Sequence, residues 1–242
     1  MTHSIFTLDP NYSTTRLVST IKPQIEDHPE AKFKTHLFLP EGEGRQGEGG
    51  LRTKGYFKHS YEVIDGQWYI TDNFGVSEED AQRIPVDQEY IPDNLLEYVR
   101  EIVDCAEGDG QARSNANVYT EHIKLPLISL ITVVYNGEKH LQEAVDSVLS
   151  QTYPNIEYVV IDGRSEDATL NVIYKHDSLM DYWISEADKG IYGAMNKGIS
   201  LSHGAIIARE YGLPAVMDLP NAVHLFQDGQ LVKIDGQTGI VE

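Results

Sequence analysis

Between Pro126 and Ile184 the chain alternates apolar runs of two different periods, and this alternation limits its possible folds more than any other feature. Leu127 to Tyr135 is a nearly continuous apolar, largely β-branched run, as a strand covered on both faces of a parallel sheet requires. Leu141, Ala144, Val145, Val148 and Leu149 then recur at helical spacing. Ile156 to Ile161 repeats the buried-strand pattern and closes on Asp162-Gly163. Ala168 to Tyr174 returns to helical spacing, and Tyr182-Trp-Ile184 is a short third strand. The order strand, helix, strand, helix, strand predicts an α/β unit with a three-layer, mostly parallel sheet. This core is expected over 124–200, and strands within 213–241 are expected to add a small β-rich C-terminal element.

The flanking text is different. Residues 1–60 form an N-terminal extension; its first 40 residues carry prolines at 10, 23, 29 and 40 and read as loosely structured. Glu41-Gly-Glu-Gly-Arg-Gln-Gly-Glu-Gly-Gly50 reads as a flexible linker. Its formal G-x-G-x-x-G at Gly42, Gly44 and Gly47 is a weak phosphate signal, because Glu41, Glu43 and Glu48 would repel the ligand. Residues 61–120 read as an acidic hairpin-plus-helix element. The hairpin turns at Asp65-Gly66, a favoured two-residue turn, and the helix over Ile91 to Cys105 is capped by Asp93. Leu95, Leu96, Val99, Ile102 and Val103 share one face of that helix, and 106–120 reads as a loop.

The chain has 242 residues and a net charge of −19, which excludes electrostatic binding to nucleic acid or an anionic membrane surface. The charge is concentrated: residues 61–111 hold fourteen acids against Arg83 and Arg100, the pattern of a solvated face or of a docking face for a basic partner. A single cysteine, Cys105, cannot form an internal disulfide. With no signal-like N-terminus and no apolar stretch of membrane-spanning length, the reading is a cytoplasmic protein without a membrane span.

In open α/β sheets, ligands bind beyond the carboxyl ends of the strands. Those ends carry Tyr135, Asn136 and Asp162, with Glu138 just beyond the first. A strand-end carboxylate accepts hydrogen bonds from a ribose hydroxyl or a base N–H, and serves equally as a turn or helix cap. The eight histidines other than His203 show no metal-ligand spacing.

Ile131-Thr-Val-Val-Tyr-Asn136, Ser147-Val-Leu-Ser-Gln-Thr-Tyr153, Tyr158-Val-Val-Ile-Asp-Gly163, Tyr182-Trp-Ile-Ser-Glu-Ala-Asp-Lys-Gly-Ile-Tyr192 and Ala194-Met-Asn-Lys-Gly-Ile199 together resemble family 2 glycosyltransferases of the GT-A fold. Gly49 to Lys58 resembles a segment that precedes this domain in some members. The resemblance implies a UDP- or dTDP-sugar donor with a divalent cation, Mg2+ or Mn2+. In it, Asp162 would hold the nucleobase, Asp188 would lie near base and ribose, and Asn196 and Lys197 would line the donor pocket. The chain departs from the family at Asp162-Gly-Arg-Ser-Glu-Asp-Ala-Thr169, where the usual text is Asp-Gly-Gly-Ser-Thr-Asp-Gly-Thr, and at Gly193, usually Asp. No Asp-x-Asp metal motif follows Gly198, so the donor half is expected without the metal-binding acids and catalytic base.

From about residue 200 the text changes again. Ser202-His-Gly-Ala-Ile-Ile-Ala-Arg209 and Asp228 to Gly236 resemble the end of the phosphohistidine (swivelling) domain of phosphoenolpyruvate-utilising enzymes. That resemblance implies His203 as a phosphoryl carrier, served by a protein partner in trans, over a segment spanning 201–242. Ile199 to Gly204 is compatible with both families. Three readings therefore stand at this point: a nucleotide-sugar-binding glycosyltransferase segment, a phosphoryl carrier, and a catalytically inert chimera.

Overall fold

The computed structural model describes residues 5–23, 36–71, 83–107, 122–202, 234–235 and 240–241. The two predicted central strands are β8 (Ile128–Val134) and β9 (Ile156–Asp162), which pair in parallel along their whole length. β10 (Tyr182–Ser185) continues the parallel sheet beyond β9. Side chains of β9 alternate between two helical layers. Tyr158 and Val160 pack with Leu141, Val145 and Val148 of α2 (Leu141–Leu149) and with Ile173 of α3 (Thr169–Lys175). Val159 and Ile161 face Ala194 and Leu201 of α4 (Ile191–Leu201) on the other side. This is the expected three-layer α/β arrangement, and α4 is an element the strand-and-helix reading had not assigned.

The Glu41–Gly50 stretch corrects the sequence expectation. Gly47–Gly49 forms β3, the antiparallel edge strand of the same sheet, in the order β3-β10-β9-β8. The reason is steric. Gly49 lies opposite Trp183, and a Cβ there would come within 2.4 Å of the indole nitrogen and of Asp177 Oδ1. Only a residue without a side chain lets the backbone lie on the indole, so the glycines that suggest flexibility are those that permit close packing.

Within the first 40 residues, the described stretch 5–23 also differs from expectation. β1 (Ile5–Thr7) pairs antiparallel with β2 (Leu17–Ser19), and Leu17 and Val18 are buried. Thr15 Oγ1 donates to the Pro154 carbonyl at 2.9 Å and accepts from Ile156 N–H at 3.0 Å, which ties this segment to the start of β9.

The predicted hairpin is β4 (Tyr61–Ile64) and β5 (Gln67–Ile70), and both turn residues take positive φ, +50° at Asp65 and +79° at Gly66, as a twist-matched two-residue turn needs. It belongs to a four-stranded antiparallel sheet that also contains β6 (Ile84–Val86) and β7 (Ile123–Leu125), in the order β6-β5-β4-β7. β7 thus carries this sheet past residue 120. The predicted helix is α1 (Asp93–Glu107), which Asp93 opens as the first helical residue. Leu95 is fully buried against Tyr61, Trp68, Ile70 and Val86, with Leu96 and Val99 at its margin, whereas Ile102 is exposed. In the C-terminal segment, β11 (Ile234–Asp235) pairs antiparallel with β12 (Ile240–Val241). His203, Arg209 and Cys105's side chain lie outside the described residues. No described helix is long and apolar enough to cross a membrane.

A buried polar seam joins the two sheets. Lys58 Nζ donates to Asp181 Oδ2 at 2.9 Å, Thr14 Oγ1 at 2.7 Å and the Ile156 carbonyl at 2.6 Å. Arg52 pairs with Glu157 and donates to the Leu37 and Leu201 carbonyls. Asn155 Nδ2 bridges the His59 and Leu125 carbonyls. Buried ions persist in such a seam only when paired and further hydrogen-bonded.

Candidate functional site

The three parallel strands end at one place, and a cavity of about 650 Å³ opens there. Val133, Val134 and Tyr135 line it from the end of β8, Gly163, Arg164 and Glu166 from the loop after β9, and Ala187, Asp188 and Gly190 from the loop after β10. Ile191 and Ala194 of α4 form its floor. Tyr135 is 64% exposed, so its ring is available to a ligand.

Asp188 is held in place by two contacts. Its Oδ1 accepts from Gly190 N–H at 2.7 Å, and its Oδ2 lies over Gly163, where a Cβ would come within 2.5 Å. Of the residues singled out from the sequence, Tyr135 and Asp188 therefore meet at the cavity.

The other strand-end residues shape the loop behind it. Asp162 is fully buried: Oδ2 accepts from Ser165 N–H at 3.0 Å and from Ser185 Oγ at 2.5 Å, and Oδ1 accepts from Ser165 Oγ at 2.5 Å. Asn136, with φ +50°, accepts at Oδ1 from Glu166 N–H, and its own N–H donates to Ser165 Oγ. Glu138 Oε2 accepts from Ala168 N–H at 3.0 Å, at the start of α3. These three polar side chains stitch the ends of β8, β9 and β10 to one loop.

Asn196 and Lys197 sit on α4 and do not line the cavity. Lys197 Nζ donates to the Ala187 carbonyl and to Glu186 Oε1, both at 2.7 Å, which fixes the segment that presents Asp188. Arg45 pairs with the same buried carboxylate at 2.8 Å from Oε2. Sequence reasoning missed Arg45, Arg164, Glu166 and Glu186. Arg164 had a signal, a bulky cation where a glycine is usual after a strand-end Asp-Gly. Arg45 had none, because its partner is 141 residues away.

Burial alone would raise the Glu186 pKa, but hydrogen bonds from Lys197 and Arg45 and their charges outweigh it and hold the carboxyl below its ordinary value of 4.5. A folded-state pKa below the unfolded one contributes stability above the unfolded value, and that contribution is lost as pH falls through the folded pKa. Glu186→Gln is therefore expected to cost about 1–3 kcal/mol at pH 7 and to flatten the loss of stability below about pH 4.5. Urea denaturation of both proteins across this pH range checks it; parallel curves for the two would sink the assignment.

Among the described residues, no group of three or more His, Cys, Asp or Glu side chains is arranged to hold a metal ion.

A mostly parallel α/β sheet with a cavity at its strand ends defines the class, an open-sheet α/β domain. Comparison with known proteins narrows it. Residues 129–209 match the family model of glycosyl transferase family 2, and residues 185–239 match that of the mobile domain of PEP-utilising enzymes. The chain is 39% identical over 79 residues to an uncharacterized glycosyltransferase of Rickettsia typhi, covering 33% of this chain and 24% of the relative. It is 37% identical over 89 residues to the glycosyltransferase AglE of Haloferax volcanii, covering 35% of this chain and 29% of that protein. An uncharacterized glycosyltransferase of Mycobacterium tuberculosis is 40% identical over 83 residues, 34% of this chain and 32% of the relative. The chain thus spans about a quarter to a third of the length of these relatives. No solved structure matches it significantly. Both segment resemblances read from the sequence are accordingly found, and the segment around the cavity is glycosyltransferase-like.

Proposed function

We propose that the cavity at the strand ends binds a nucleoside diphosphate sugar, UDP- or dTDP-linked, as the donor half of a family 2 glycosyltransferase acting in the cytoplasm. The observation that carries this reading is the convergence of Tyr135 and Asp188 on one cavity, inside the segment similar to that family. The exposed Tyr135 ring offers a stacking face for the base. The Asp188 carboxylate accepts from a base N–H or a ribose hydroxyl. Asp162, Asn136 and Glu138 act in this reading by holding the loop after β9, and Lys197 by holding the Ala187 carbonyl next to Asp188. The catalytic base and metal-binding acids of a complete transferase would be supplied from outside the described residues, which makes donor binding the activity to test first.

Calorimetric titration of the full chain with UDP, with and without Mn2+, is expected to show binding. Asp188→Asn and Tyr135→Ala are each expected to weaken it roughly tenfold. Affinity unchanged in both variants would remove the cavity from consideration.

The match to the PEP-utilising mobile domain over 185–239 favours a second reading, in which His203 carries a phosphoryl group delivered by a partner protein. Incubation with labelled phosphoenolpyruvate and a cognate synthase would label the chain and not its His203→Ala variant. A chimera in which neither segment is active would show neither binding nor label.

A further inference from the structure

We infer that Arg164 is the diphosphate-binding residue of the cavity, a cation that recognises the charged part of a nucleoside diphosphate without a metal ion as intermediary. This inference rests on the donor-site reading above.

Three observations carry it. First, Arg164 is the one cationic side chain among the described residues that line the cavity, which also presents two carboxylates, Glu166 and Asp188. A diphosphate entering beside those carboxylates is repelled unless a cation faces it. Second, among the described residues the Arg164 guanidinium has no hydrogen bond or ion pair, although Glu166 and Asp188 line the same space. Its charge is therefore available to a ligand rather than spent within the fold. The guanidinium rests instead against Gly44, whose absent side chain leaves it room: a Cβ there would lie 3.1 Å from Arg164 Cζ.

Third, Arg164 adopts φ +66°. A left-handed backbone is free for glycine and disfavoured for a residue with a Cβ. The turn between Gly163 and Ser165 would form more easily with glycine at 164. The fold instead carries a strained arginine, without a partner among the described residues, at the mouth of its cavity, the arrangement in which local strain points to a ligand.

The division of labour follows from donor and acceptor chemistry. Asp188 offers only acceptors, which suit base and ribose N–H and O–H groups. Arg164 offers only donors in a planar fork, which suits phosphate oxygens.

The test is calorimetry on the full chain with UDP, UMP and uridine, each in EDTA and again with Mn2+, using the natural protein, Arg164→Gly and Arg164→Lys. Arg164→Gly removes the backbone strain along with the charge, so it is expected to fold at least as well, and its urea midpoint checks this. In EDTA the natural protein is expected to bind UDP roughly ten- to a hundredfold more tightly than uridine, the weight of charge-assisted hydrogen bonds. Arg164→Gly should abolish that preference and leave uridine binding unchanged, and Arg164→Lys should keep part of it. An unchanged UDP-to-uridine ratio in Arg164→Gly overturns the assignment of Arg164 while the donor site stands. A natural protein that binds none of the three, with or without Mn2+, overturns the donor site and this inference with it.

Discussion

Replacing Lys58 by Met is expected to lower the unfolding free energy by about 3–5 kcal/mol, the cost of leaving one member of a buried ion pair without its partner. The Lys58 side chain is fully buried and that of Asp181 is 3% exposed. Burial is the largest influence on each group: it pushes the Lys58 ammonium down and the Asp181 carboxyl up, against a mutual attraction that pulls both the other way. Met fills the volume of the lysine stem, but among the described residues Asp181 Oδ2 then keeps only the Tyr158 N–H at 2.7 Å. Thr14 Oγ1 and the Ile156 carbonyl each lose a donor as well. Asp181→Asn alone keeps an acceptor for Tyr158 N–H and allows Lys58 to shed its proton, so it should cost less. The double variant should differ from the sum of the singles by roughly 1–3 kcal/mol, as directly contacting groups do. Simple additivity in urea denaturation would show that the two residues act independently. Because Lys58 lies at the foot of β4 and Asp181 just before β10, this pair also measures how strongly the two sheets depend on each other.

Asp162→Ala is expected to cost about 2–4 kcal/mol, since it strands Ser165 N–H and Ser165 Oγ in a buried place without their acceptor and leaves Ser185 Oγ to Gln46 Oε1. Asp162→Asn retains one carbonyl acceptor and should cost roughly half as much. Loss of UDP binding in these variants would then follow from loosening of the loop that carries Gly163, Arg164 and Glu166, and would track the loss of stability. A variant with undiminished stability and no UDP binding would show the opposite, a carboxylate that serves the ligand directly. Asp188→Asn is the cleaner probe of ligand contact, because that side chain lies at the cavity.

The central fold was legible because its signals are local. Runs of β-branched residues identified β8 and β9, and the spacing of Leu141, Val145 and Val148 identified α2, from windows shorter than ten residues. The Asp65-Gly66 turn was legible for the same reason: two adjacent residues decide it. β3 was not, because Gly47-Glu-Gly49 has neither strand propensity nor alternation. It is a strand only because Trp183, more than 130 residues away, needs a neighbour without side chains. β1 and β2 were missed because each is three residues long, too short for a period to register.

For the candidate site, the sequence by itself pointed to the carboxyl ends of the strands, where the cavity lies, and named Tyr135 from the strand end and Asp188 from the family resemblance. Strand direction and strand ends follow from the order of local elements. It also carried the resemblance to family 2 glycosyltransferases, which the match over 129–209 bears out. Only the tertiary structure decided which polar residues remain available to a ligand. Asp162, Asn136 and Glu138 are consumed by hydrogen bonds within the loop they support, and Lys197 by Glu186, whereas Asp188 and Arg164 face the cavity. The physical reason is that a buried polar group must be satisfied by whatever lies beside it, and its neighbours come from segments far apart in sequence.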